Sequence, residues 1–302
     1  AEDVVAALTV HRACGTTTSM ASLVTQGLDE LAEQVGRLAV YVRRGELAGI
    51  HLEGPWLAPG KRGAHPLERL RTPAKADVIR LLDVGAGAVR MVTLAPELPE
   101  ALDAIRMCVA RGIVASVGHT DADFATTQAA VDAGATGATH LFNQMPPLHH
   151  RDPGPVLALA EDHRVWLEII ADGVHVHPAM IASTMRRFPG RVVLVTDAMG
   201  AAGCGDGNYR LGDLEVIVDG GVARLAHGGN LAGSTITLVD AVRLVINAGI
   251  PWQQALRAAT VLPAQYTGIP DVGTLAPGTW ADAVAFDPLW RVQGVLRHGV
   301  WI

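Results

Sequence analysis

Short apolar runs alternate along this chain with longer stretches in which apolar residues recur every three or four positions. Glu2 to Cys14 reads as a helix, with Val5 and Leu8 at helical spacing and Gly15 as its stop. Thr16 to Leu23 reads as a strand, β-branched at its start, and Leu28 to Arg43 as the helix after it. The pattern then repeats. Strands are expected at Leu47 to Glu53, Val89 to Leu94, Val114 to Val117, a short piece ending at His140, Val165 to Ile170, and Val192 to Thr196. Helices are expected around Ala74 to Leu82, Glu100 to Ala110, an Ala-rich segment capped by Asp121 and ended by Gly134, Val156 to Glu161, and from Pro178.

About seven such strand-helix units predict a parallel sheet with helices outside it, an α/β fold of the metal-dependent (β/α)8 TIM-type barrel class. A closed barrel needs eight strands, and the chain opens on a helix feeding a strand, so the first strand is expected upstream of Ala1. The barrel is assigned to residues 1–267, with a β-hairpin insertion at about 208–226 built on the Asp219-Gly220-Gly221 turn. Ser234 is expected to cap a helix bearing Leu238, Val242 and Val245 on one face. Residues 268–302 read as the C-terminal strands of a small, incomplete β domain.

Composition narrows the partners. With 302 residues, 49% of them hydrophobic, the chain can bury a large core. A net charge of -6 and no Lys/Arg run argue against nucleic acid or an anionic membrane as partner. The apolar runs are too short to span a bilayer, and the N-terminal residues do not read as a signal peptide. Cys14, Cys108 and Cys204 are widely spaced and form no CxxC pair, which suits reduced packing thiols and a cytoplasmic setting, with Cys204 in its Gly-rich loop the exception.

The chemistry gathers at strand ends. Glu53, His119, His140 and Asp197 each close an apolar strand, and in a barrel all such ends meet on one face. One such residue alone is more simply a satisfied polar group at the rim. Four together suggest a site: a carboxylate and two imidazoles make a catalytic zinc-type ligand set, and Asp197 is placed to take a proton from the activated water and return it to a leaving amine. Asp197 as a fourth ligand or a helix cap remains the alternative. His51, two residues before Glu53, reads as a hydrogen-bond partner behind the ligands.

The ordered motifs His51-Leu52-Glu53-Gly54-Pro55-Trp56, Gly63-Ala64-His65, Gly118-His119-Thr120, Thr139-His140-Leu141-Phe142-Asn143-Gln144-Met145, Asp172-Gly173-Val174-His175, Thr196-Asp197-Ala198-Met199 and Leu231-Ala232-Gly233-Ser234-Thr235 run through nearly the whole sequence. Together they resemble the N-acetylglucosamine-6-phosphate deacetylase family of the amidohydrolase superfamily. The resemblance implies hydrolysis of the N-acetyl group of a 2-acetamido sugar 6-phosphate to the amine and acetate. It makes Glu53, His119 and His140 the ligands of a divalent metal (zinc, with iron, cobalt or manganese as alternatives), and Asp197 the general base and acid. His175 polarises the amide oxygen. Ala64, His65, Asn143, Gln144, Leu231, Ala232 and Gly233 wall the sugar pocket, and Arg151 meets the phosphate, in the family across a dimer interface, so that a homodimer is expected. Asn143 has a second reading, as a residue stabilising its own turn. His149 and His150 read as loop or interface residues.

Two departures bear on the metal. Many family members carry an HxH pair on the first barrel strand that helps hold a second ion; the strand and the pair are absent from this sequence, which supports one ion and leaves a second open. Lys61 and Lys75 are the only lysines, and neither lies on a strand end where a bridging carboxylated lysine would be needed. The alternatives to the deacetylase are an amidohydrolase acting on a cyclic amide, and a non-catalytic or truncated relative that binds the sugar phosphate.

Overall fold

The computed structural model describes residues 2–302. Seven parallel strands form one sheet in sequential order β1 to β7, each of the first six followed by a helix, as in the strand order of a TIM-type barrel. The chain divides into two compact units, one over Met20–Glu168 and one over Ile169–Ile302 with the chain up to Ser19, and the division runs through β6.

Helix α1 (Glu2–Ala13) opens the second of these units. In the Met20–Glu168 unit, β1 (Met20–Val24), β2 (Gly49–Glu53), β3 (Val89–Leu94), β4 (Val114–Val117), β5 (Gly137–Ala138) and the first part of β6 (Trp166–Ile170) alternate with α2 (Leu28–Arg43), α3 (Lys75–Gly85), α4 (Ala101–Ala110), α5 (Phe124–Asp132) and α6 (Gly154–Glu161). Strands covered on both faces read as apolar runs, and all five residues of β2 are buried, His51 and Glu53 among them. The helices bury one stripe each, as Leu31, Val35 and Leu38 do on α2. β1 begins at Met20, four positions beyond the expected Thr16; the Thr17 carbonyl accepts instead from the Arg297 guanidinium at 3.1 Å.

The other unit carries α7 (Pro178–Arg187), β7 (Val192–Val195), a three-stranded antiparallel sheet of β8 (Gly207–Leu211), β9 (Leu214–Asp219) and β10 (Val222–Leu225), then α8 (Leu238–Asn247), α9 (Trp252–Ala259) and α10 (Val261–Thr267). The last strands, β11 (Ala283–Phe286), β12 (Val292–Arg297) and β13 (Val300–Trp301), form a second antiparallel sheet.

Two expected caps are corrected. Asp123 caps α5, accepting the Thr126 N–H at 2.7 Å, so Asp121 is free for other work. Thr237 caps α8 in a reciprocal box with Asp240, while Ser234 binds the Thr196 carbonyl instead. No helix among the described residues is long and apolar enough to cross a membrane.

Candidate metal centre

Glu53, His119 and His140 converge. Glu53 Oε1 lies 3.1 Å from Nε2 of each histidine, and the two Nε2 atoms are 3.0 Å apart. All three side chains are buried. Glu53 is the last residue of β2, while each histidine stands two residues past a strand, on backbone turned left-handed: φ is +48° at His119 and +30° at His140. Such φ values cost a non-glycine residue on the order of 1–2 kcal/mol and persist only where the surroundings fix them.

The fit to a cation rests on the donor set. His119 Nδ1 lies 2.8 Å from the Lys61 carbonyl; a carbonyl only accepts, so Nδ1 carries a proton and Nε2 is the atom turned toward Glu53 Oε1 and His140 Nε2. With the Nε2 atoms unprotonated, electron-rich atoms this close could share a cation. Burial pushes the Glu53 carboxyl up, but the His119 and His140 rings beside it outweigh burial and hold it well below the usual carboxylate range, as an anionic ligand must be. The three residues could hold a divalent metal.

The surroundings hold this set in place. The His65 ring meets His119 edge to face at 4.7 Å between centroids, with Nε2 3.9 Å from Glu53 Oε2. Thr25 supports His65 from behind, with its N–H 3.3 Å and its hydroxyl 2.8 Å from Nδ1. Burial lowers the His65 pKa to about 3 and the His51 pKa to about 4, so both rings are neutral. His51 sits between Ser22 Oγ at 2.9 Å and Thr93 Oγ1 at 2.7 Å. Asp121, relieved of capping, pairs with Lys61 at 3.4 Å and donates its N–H to Glu97 at 2.6 Å, while the Thr120 hydroxyl donates to the other Glu97 oxygen at 2.5 Å. Lys61 and Glu97 escaped the sequence reading because one acts through a backbone carbonyl and the other from a loop without a motif.

Other candidates in this unit lie along its loops. Asn143 donates to the His140 carbonyl at 3.1 Å, so its side chain ties its own turn. Gln144 runs beside Gly63, where an added Cβ would come within 3.2 Å of its side chain. Ala64 is half-buried in the same loop. Arg151 is exposed and donates to His150 Nε2 at 2.8 Å, and the His149 and His150 rings lie 4.2 Å apart.

The remaining candidates belong to the other unit and are held by local partners. Asp172 Oδ2 lies 2.6 Å from His175 Nδ1, and Oδ1 accepts the Val174 and His175 N–H groups at 2.8 Å each. Burial pushes the Asp172 carboxyl up, yet the His175 bond and those backbone donors bring it below its usual value. Asp172 therefore orients His175, a role the motif alone did not reveal. His177, two positions on, caps α7 through Nδ1. Asp197 follows β7 with φ +48°, and its carbonyl accepts the Ser234 N–H at 2.8 Å. Gly233 permits that approach: its φ is +63°, and a Cβ there would stand 2.8 Å from the Asp197 carbonyl oxygen. Leu231 is half-buried beside the fully buried Ala232, whose N–H reaches the Ala223 carbonyl at 3.1 Å.

The sequence matches the amidohydrolase family over residues 2–301. It is 41% identical over 306 residues to an N-acetylgalactosamine-6-phosphate deacetylase of Escherichia coli O157:H7, covering 99% of this chain and 81% of that protein. It is 43% identical over 265 residues to the N-acetylglucosamine-6-phosphate deacetylase of Bos taurus, covering 84% of this chain and 64% of that one. The fold superposes with a TM-score of 0.97 on an N-acetyl-D-glucosamine-6-phosphate deacetylase of Mycobacterium smegmatis, 48% identical, solved as an Asp-to-Ala mutant with N-acetyl-D-glucosamine-6-phosphate and covering 99% of this chain and 80% of that one.

Proposed function

The chain belongs to the amidohydrolase family, and from that premise we propose that it is a hydrolase that removes the N-acetyl group of N-acetylglucosamine 6-phosphate, giving glucosamine 6-phosphate and acetate. The observation that carries this reading is the buried Glu53, His119 and His140 cluster with its preset imidazole tautomer. The names borne by the bovine and mycobacterial relatives supply the substrate.

Glu53, His119 and His140 would hold a divalent metal, zinc in our reading with iron, cobalt or manganese as alternatives, and the ion would supply the Lewis acidity to activate water at neutral pH. Asp197 takes the proton as the water oxygen adds to the acetyl carbon, and hands it to the nitrogen as the C–N bond breaks, so that the amine leaves and acetate remains. His175, its Nδ1 engaged by Asp172, turns Nε2 to the charge developing on the amide oxygen. Arg151 suits the 6-phosphate through its planar fork of donors. His65, Ala64, Asn143, Gln144 and the Leu231–Gly233 turn complete the sugar pocket in this reading. In this reading the enzyme is a cytoplasmic homodimer, with Arg151 meeting the phosphate in its own or the neighbouring subunit.

The test is acetate release from the 6-phosphates of N-acetylglucosamine and N-acetylgalactosamine, with metal content measured on the same sample. Metal-dependent release, faster with the glucosamine epimer, is expected; a metal-loaded protein that releases no acetate from either would sink the proposal. Asp197→Asn is expected to keep metal and substrate binding while kcat falls by about 10²-fold or more.

A further inference from the structure

The shortest strand of the sheet carries a ligand. β5 comprises only Gly137 and Ala138, paired to Ser116 and Val117 on one side and to Trp166 and Leu167 on the other. His140 then leaves the strand on left-handed backbone, flanked by the Thr139 N–H on the Val117 carbonyl at 2.9 Å and the Leu141 N–H on the Glu168 carbonyl at 2.8 Å, bonds that fix the main chain and not the ring. One residue earlier, a set of side-chain contacts adds to that hold. Ser22, His51, Thr93, Thr139 and Ser116 form one hydrogen-bonded chain across the strands, at 2.9, 2.7, 2.7 and 2.6 Å in that order. Thr93, Thr139 and Ser116 are almost wholly buried.

The crossing point depends on a missing side chain. Thr93 of β3 and Thr139 beyond β5 meet across β4 at Gly118, where a Cβ would lie 2.8 Å from Thr139 Cβ and 2.9 Å from Thr93 Cγ2. Gly118 immediately precedes His119, and Thr139 immediately precedes His140. A buried hydroxyl held by two partners has one orientation available, and displacing it leaves polar atoms unsatisfied.

We infer that Thr139 is a positioning residue: its hydroxyl, locked between Thr93 and Ser116 over Gly118, fixes where His140 presents Nε2 to His119 and Glu53, and so sets metal affinity. The inference rests on the metal reading of that cluster. Thr139 is not among the residues whose donor atoms meet in the cluster.

The test uses the full chain stripped of metal, with zinc affinity measured by competition against a chromophoric chelator and the ligand field read from the cobalt(II) spectrum. Thr139→Val keeps the shape and loses the hydroxyl, and is expected to weaken zinc binding by about 10- to 100-fold and to change the cobalt bands. Thr139→Ser, which keeps the hydroxyl, restores both. A folded Thr139→Val chain with wild-type zinc affinity and cobalt spectrum overturns the proposal. Should that variant fail to fold, Gly118→Ala retains every hydroxyl group but wedges the crossing apart; unchanged affinity there overturns it equally. A wild-type chain that takes up neither metal removes the metal reading itself, and the proposal with it.

Discussion

A single proton on His119 separates a metal ligand from an ordinary buried imidazole. The Lys61 carbonyl puts that proton on Nδ1 and leaves Nε2 for the cluster. Asp172 does the corresponding work for His175. Replacing Asp172 by Asn removes the carboxylate that engages His175 Nδ1, and kcat for acetate release is expected to fall by about 10²-fold or more, with a smaller change in KM. The same carboxylate contributes to stability. Its folded pKa is depressed, so that contribution is fully present above the ordinary carboxyl pKa and is lost as pH falls through the folded value. Urea unfolding is therefore expected to show Asp172→Asn less stable by about 1–3 kcal/mol at pH 7 and the gap closing in acid; a gap that persisted below both values would assign the loss to packing.

At the scale of elements, the strand ends decide what the loops can do. Gly233 lets the turn after β10 press against the Asp197 carbonyl, and Gly233→Ala is expected to cost about 1–3 kcal/mol through its positive φ and the clash. Because the clash falls on the Asp197 backbone, kcat should drop further than the loss of Tm accounts for, and a Tm loss with kcat intact would show that Asp197 tolerates the shift. The strand and helix order was legible because buried parallel strands read as apolar runs and the outer helices as periodic ones. Helix entrances were less legible, since Asp and Ser ahead of an apolar stretch look like caps whether or not they cap. Asp121 and Ser234 were misread in that way: Asp121 pairs with Lys61 in the loop that carries Ala64 and His65, and Ser234 binds the carbonyl of Thr196, next to Asp197. The convergence of Glu53, His119 and His140 was legible from the strand ends; what surrounds the cluster, a backbone carbonyl and a set of hydroxyls, has no sequence signature.

For the whole molecule, a metal that binds the folded chain and not the unfolded one must raise its stability, by about 4 kcal/mol when free metal exceeds Kd a thousandfold. Chelation is expected to lower Tm by several degrees, with zinc restoring it and Glu53→Gln abolishing the difference; equal Tm values with and without chelator would disconnect the cluster from any ion. The mutational dissection of such a chain is governed by backbone as much as by chemistry. His119, His140 and Asp197 all occupy the left-handed region, which Asn, Asp and His enter more readily than other side chains. An alanine at any of the three changes reactivity and conformation at once. Asparagine keeps the local turn comfortable, so it is the replacement whose kinetics can be read as chemistry alone.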